Sequence, residues 1–127
     1  MVTQLFVDAA NVMGSVPDGW WHDRVAAAER VRKALVALTS EPPEFADGEP
    51  LEIKLVVEGK ANRVESVPGV EVVKSMETAD DTIVELIGAY EGGGRVLVVT
   101  ADRELQRRVT ELGADVLGPR SVYPHKH

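Results

Sequence analysis

Val96-Leu97-Val98-Val99 is a continuous run of apolar, β-rich residues, and such a run suits a strand covered on both faces, as in a parallel sheet flanked by helices. Residues 95–100 therefore read as a strand of that kind. Strand and helix patterns alternate along the rest of the chain. Residues 3–7 read as a buried strand. After a turn rich in Gly14, Pro17 and Gly19, Asp23 is placed to cap a helix reaching about Leu38, whose apolar stripe is Val25, Ala28, Val31, Leu35 and Leu38. Glu41-Pro42-Pro43 stops it. Residues 44–50 read as a loop, 51–57 as a second strand, and 58–63 as an open, partly basic loop. A short strand over 70–73 precedes a helix over about 79–90 with Ile83, Leu86, Ile87 and Tyr90 on one face, ended by Gly92-Gly93-Gly94. A third helix runs from about Asp102 to Leu112 with Leu105, Val109 and Leu112 inward, closed by Gly113, and 115–117 is a last strand.

Alternating strands and helices give a parallel sheet with right-handed crossovers, so the expected fold is an α/β, three-layer α/β/α sandwich. Strand order 3-2-1-4-5 makes the first and fourth strands neighbours whose crossovers leave on opposite faces, which is where such sheets bind ligands beyond their carboxyl ends. Residues 1–122 read as a single domain and 123–127 as a short tail. No internal repeat or low-complexity tract interrupts this pattern.

Acids fall at the edge this fold would create. Leu5-Phe6-Val7 runs into Asp8, the 96–99 run passes through Thr100-Ala101 into Asp102, and Ala79-Asp80-Asp81 opens a helix. Asp8 and Asp102 would sit side by side with Asp80 or Asp81 facing them, a set of oxygen ligands suited to Mg2+ or Mn2+. One such ion activates water, and a pair about 4 Å apart can hold the attacking and leaving oxygens of a phosphodiester. Hydrolysis of a phosphate ester is the reaction class that follows. Each acid also has a purely structural reading: an Asx turn for Asp8, a helix cap for Asp102, and complementing of the helix dipole for Asp80 or Asp81. Capping and metal binding can coexist. The ligand role goes to Asp80, with Asp81 as its alternative.

Composition bounds the partners. The chain has 127 residues, 44% hydrophobic and 28% charged, enough for one ordinary globular core. It has no cysteine, so a metal must be held by oxygen or imidazole, and a reducing cytoplasmic compartment is expected. No secretory pattern opens the chain, and no apolar run approaches the roughly 18 residues of a membrane span, so no membrane partner is expected. Net charge is −7, which argues against a general nucleic-acid coating protein. Local bases can still serve a phosphate backbone. Arg103 lies closest to the acids in sequence, and Arg24, Lys60 and Arg63 follow.

Trp20-Trp21-His22 stands out in a chain with only two phenylalanines and two tyrosines. Trp21 is the candidate stacking platform for an unpaired base, and at least one of the two indoles is expected to staple the helix that begins near Asp23. Asn11 either positions substrate or orders its strand-to-helix turn. Glu58 and Glu104 read first as surface residues, each with an outer-shell role as the alternative. Arg107 and Arg108 read as solvated, and His125 and His127 fall in the tail.

Val7-Asp8-Ala9-Ala10-Asn11-Val12, Ala79-Asp80-Asp81-Thr82-Ile83 and Val99-Thr100-Ala101-Asp102-Arg103-Glu104, in that order, resemble the NYN nucleases of the PIN-like superfamily, nearest its YacP-like branch, over about residues 4–122. The resemblance implies a magnesium- or manganese-dependent ribonuclease leaving a 5′-phosphate, with Asp8, Asp80 or Asp81, and Asp102 as metal-binding acids and Asn11 as the motif asparagine. Relatives of this branch often continue well past the fifth strand, so a substrate-binding element supplied there is expected to be missing. RNA is the implied substrate. The acidic balance points to weak intrinsic RNA affinity, or to recruitment by a partner such as the ribosome. Self-association as a homodimer is left open.

Other chemistries fit poorly. Ala10 stands where a haloacid-dehalogenase-type phosphatase needs its second aspartate, and no G-x-x-x-x-G-K-[ST], G-x-G-x-x-G or G-x-S-x-G pattern is present. The alternatives that remain are a noncatalytic RNA- or protein-binding module on the same fold, and a toxin-type ribonuclease with the same acids.

Overall fold

The computed structural model describes residues 1–123. Five parallel strands, β1 (Thr3–Asp8), β2 (Leu51–Val57), β3 (Val70–Lys74), β4 (Val96–Val99) and β5 (Asp115–Leu117), form one sheet in the order β3-β2-β1-β4-β5. This is the order that the sequence pattern predicts. Register pairs Asp8 with Val56 of β2 and Val7 with Val99 of β4. The carboxyl ends of the three central strands therefore end together.

Alternating side chains of the sheet feed two cores, which makes the three layers. Leu5, Val7, Leu55 and Val99 bury against α1 (Ala9–Gly14) and α2 (Arg24–Ser40) on one face. Phe6, Val56 and Val98 bury against α3 (Ala79–Ala89) and α4 (Arg103–Glu111) on the other, with Ile83, Ile87, Leu105 and Val109. The period-two alternation of a strand places Phe6 opposite its neighbours Leu5 and Val7. The α2 stripe falls as expected, with Ala28, Val31 and Leu35 fully buried.

The structure departs from the sequence reading in several places, among them Glu44–Ala46, read as loop, which form a 3-10 turn. α1 occupies what read as a turn: Asp8 accepts from the backbone N–H of Asn11 as an N-cap, and Ser15 closes the helix. Residues Gly59–Arg63, read as an open loop, wind into a 3-10 helix. Leu112 is 48% exposed because α4 ends at Glu111 and the chain reverses at Gly113 (φ +91°), so Ala114 fills that part of the core instead. Tyr123, read as the start of a tail, is half-buried against the α1/α2 core. His125 and His127 lie outside the described residues. Among the described residues, no helix is long and apolar enough to cross a membrane.

Candidate active site

Asp8 closes β1 and is buried, with 2% of its surface exposed. A carboxylate so placed needs donors. Asn11 Nδ2 donates to Oδ2 at 2.8 Å and Thr100 Oγ1 donates to the same oxygen at 3.1 Å. Burial nevertheless dominates, and the Asp8 carboxyl is raised above the usual range, with the nearby Glu58 adding to the effect and the Thr100 and Asn11 hydrogen bonds opposing it.

Asp102 begins α4. Its Oδ1 accepts from the Leu105 N–H at 3.0 Å, and its own N–H donates to Thr100 Oγ1 at 3.1 Å. Thr100 is fully buried and thus ties the two strand-end acids through one hydroxyl. Gln106 Nε2 in turn donates to the Thr100 carbonyl at 2.9 Å. Asn11 closes the circuit, because its Oδ1 accepts from the Ala101 N–H at 3.2 Å while its amide nitrogen holds Asp8. The loops leaving β1 and β4 are thereby fastened to each other.

The third acid comes from α3, in the same helical layer as α4. Thr78 caps α3 by accepting from the Asp81 N–H at 3.2 Å, and Ser75 Oγ donates to the Thr78 carbonyl at 2.8 Å, which fixes the turn from β3. Asp80 lies in the first turn of α3, half-buried. Its carboxyl is pushed up to about 6, first by burial and then by repulsion from Asp8, Asp102 and Glu58, with Arg108 opposing. Asp81 turns elsewhere: Arg108 Nη1 of α4 donates to its Oδ1 at 3.0 Å. Of the two neighbours, Asp80 is the one that feels the carboxylates of the sheet edge.

Two residues take larger parts than the sequence reading gives them. Glu58, just past β2, is half-buried rather than a solvated surface acid, and its Oε2 accepts from the Ala79 N–H at the start of α3 at 2.5 Å. It repeats the pattern of an acid directly after an apolar strand, which is the signal that could have singled it out. Thr100 carries a weaker signal, a hydroxyl inserted between an apolar run and Asp102. Glu104 is exposed and paired with Arg107.

The donor set suits a hard divalent cation. Every candidate group is a carboxylate oxygen, and the raised carboxyls of Asp8 and Asp80 are those that a nearby positive charge would relieve. Among the described residues, no three acids or histidines gather closely enough to hold a metal ion by themselves. An open site matches magnesium, which keeps waters and takes few protein ligands together with substrate phosphate. Around these acids, Arg103 is exposed directly after Asp102, while Arg24, Lys60 and Arg63 line a separate groove beyond Glu58. Trp20 packs on the α1/α2 core, and Trp21 is 55% exposed.

Known proteins share this architecture. Rae1 (YacP) from Bacillus subtilis superposes with a TM-score of 0.73 at 21% identity, over 92% of this chain and 69% of that one. A variant of the same protein gives 0.72 at 20% identity, over 94% and 72%. No curated protein sequence matches the chain. The sequence itself matches the YacP-like NYN domain over residues 5–125, a span that holds all three acid-bearing segments and reaches from within β1 past β5, so the chain belongs to the YacP-like NYN domains of the PIN-like nuclease superfamily.

Proposed function

We propose that the protein is a cytoplasmic, metal-dependent endoribonuclease whose Asp8, Asp80 and Asp102 hold Mg2+ or Mn2+ against the scissile phosphodiester. The observation that carries this reading is the gathering of acids at the switch point of a nuclease-family fold, where burial first, and then repulsion from Asp8, Asp102 and Glu58, lift Asp80 to about 6. A protein that only bound RNA would gain nothing by facing a polyanion with unrelieved carboxylates. A bound magnesium or manganese ion supplies Lewis-acid polarisation of the phosphoryl oxygen and activation of water. Asp8 and Asp102 fix the position of that charge, held by Thr100 and Asn11. Asp80 closes on it from α3, and Asp81 is the alternative ligand on that helix. Arg103 contacts a phosphate beside the cut. Water oxygen bonds to phosphorus as the bond to the 3′-oxygen breaks, the water proton balances that leaving oxygen, and a 5′-phosphate remains on the downstream fragment. With a net charge of −7, a partner such as the ribosome presents the RNA, and action as a monomer or as a homodimer is compatible with the site.

Asp102 permits a test that separates chemistry from folding. Asp102→Asn keeps an oxygen for the Leu105 N–H and so preserves the α4 cap, whereas Asp102→Ala removes cap and charge together. Wild type is expected to cut labelled single-stranded RNA in manganese, to stop in chelator and to recover on adding metal back. Asp102→Asn should lose about 10³-fold of that activity, the several kcal/mol expected of a metal ligand, while melting within about 0.5 kcal/mol of wild type, and Asp102→Ala should lose a further ~1 kcal/mol of stability. Cutting by Asp102→Asn at the wild-type rate would remove the assignment. If only RNA binding survives in every preparation, the noncatalytic reading takes its place.

A further inference from the structure

The start of α2 faces the 3-10 turn Gly59–Arg63 across a groove of about 600 Å³, lined by His22, Asp23, Arg24, Lys60, Asn62 and Arg63. That volume accommodates a nucleotide-sized group. The turn begins where Gly59, with φ +59°, takes a left-handed conformation directly after Glu58. Glu58 stands within electrostatic range of Asp8 and Asp80. The groove therefore opens beside the acids, on the β2 side of the sheet edge.

Three cations without a carboxylate partner gather in this groove; Lys33, Arg95, Arg103 and Arg120 also lack one among the described residues, but they do not line it. Arg30, Arg32, Lys54, Lys74, Arg107 and Arg108 each pair with a carboxylate. Arg24, Lys60 and Arg63 pair with none among the described residues, although the protein is strongly acidic. The acid between them, Asp23, is engaged by the Ala26 N–H at 3.0 Å as the α2 cap. Arg24 is further held by its guanidinium, 5.4 Å from the Trp20 ring centroid. Trp20 is anchored in the core and carries Trp21 edge-on at 6.0 Å, and the exposed Trp21 ring lies 5.2 Å from that of His22, a groove residue. Unpaired cations from two separate segments, next to an exposed aromatic face, match the two needs of a single nucleic-acid strand: phosphate neutralisation and base stacking.

We propose that this groove binds the backbone of an unpaired RNA strand to one side of the scissile phosphate, with a base stacked on Trp21. The proposal rests on the ribonuclease reading for the place of the cut, and not for the binding itself. A duplex keeps its bases stacked on one another and offers the indole no face, so the groove selects single-stranded or looped RNA. Because these contacts are the same before and during reaction, they lower KM and leave kcat alone.

The test is fluorescence anisotropy of a labelled unpaired RNA at several salt concentrations in chelator, with cleavage in manganese measured in parallel. Lys60→Ala/Arg63→Ala should bind at least about 10-fold more weakly, with the slope of log K against log salt reduced by about 0.7 for each cation removed. Lys60→Arg/Arg63→Lys should restore both. Trp21→Ala should weaken binding by about 5- to 150-fold without changing the slope, the loss of one stacked base. All of these side chains are exposed, so melting temperatures should stay at the wild-type value. No RNA binding by wild type at low salt, or a fully paired duplex bound as tightly as the unpaired strand, would overturn the proposal. Metal-dependent cutting with affinity, slope and KM unchanged in the groove variants removes the groove and keeps the ribonuclease. Binding lost in the variants while wild type cuts nothing keeps the groove and removes the ribonuclease.

Discussion

The acids at the strand ends and the acid on α3 are held in opposite ways. Asp8 and Asp102 each start a helix, and each is tied to Thr100 by a hydrogen bond of 3.1 Å. Asp80 accepts no hydrogen bond from the described residues, and three other carboxylates repel it. One pair is positioned by the scaffold and the third acid is left electrostatically unsatisfied. The difference is physically useful. In the proposed metal site, the fixed carboxylates would define where a cation sits, and the unrelieved one on α3 would make that cation's arrival favourable.

Thr100→Val gives the largest effect that would break the rigid half of this contrast. Valine keeps the shape but removes the donor to Asp8 and the acceptor for the Asp102 N–H, both in a fully buried setting. Metal affinity and activity are expected to fall about 10- to 100-fold, the size of effect seen when a group that orients metal ligands is lost. Stability should fall by about 1–3 kcal/mol from the unsatisfied groups. Thr100→Ser, which keeps the hydroxyl, should stay within a few-fold of wild type in a manganese titration. An unchanged titration for Thr100→Val would mean that the hydroxyl does not position the acids.

The same contrast marks what was legible in the sequence. Strand-end acids are visible because an apolar run shows where a strand stops, and the β-rich run before Thr100 does so clearly. Sheet order followed from the alternation of strand and helix patterns. α1 was hidden because Gly14 and Pro17 punctuate the stretch after Asp8, and a helix of six residues has too little apolar periodicity to register. Glu58 and Thr100 were undervalued for a different reason. Their roles depend on which atoms the register of β1, β2 and β4 brings together, and that information is tertiary. Asp81 could not be separated from Asp80 for the same reason, since its partner Arg108 belongs to a helix that only packing brings near.

The unsatisfied half of the contrast can be sharpened with pH. Asp80 ordinarily titrates near 3.8, and in the folded protein near 6. Between those values the folded state holds more protons than the unfolded chain, so stability falls as pH rises from about 4 to about 6. Burial raises the Asp8 carboxyl in the same direction. Asp80→Asn should therefore melt higher than wild type at pH 8 in chelator and show a shallower fall across that window. Magnesium or manganese should stabilise wild type more at pH 8 than at pH 5, because a ligand must be deprotonated to bind, and should stabilise Asp80→Asn least. A steeper pH dependence in Asp80→Asn than in wild type would contradict the repulsion on which the comparison rests.

Asp81 supplies the smallest expected effect and the sharpest discrimination. Its ion pair with Arg108 is half-exposed, with 32% of the arginine side chain and 46% of the aspartate accessible, and such pairs contribute about 0–1 kcal/mol and weaken with salt. Asp81→Asn should melt within about 1 kcal/mol of wild type, with the gap closing in high salt, and should keep metal-dependent activity within a few-fold. The same conservative change one residue earlier, Asp80→Asn, should remove that activity. If instead Asp81→Asn loses as much as Asp80→Asn while melting normally, Arg108 must release Asp81 when the ion and RNA bind. The unsatisfied acid of α3 would then be a pair sharing one task, and the held and unheld carboxylates would differ in occupancy rather than in design.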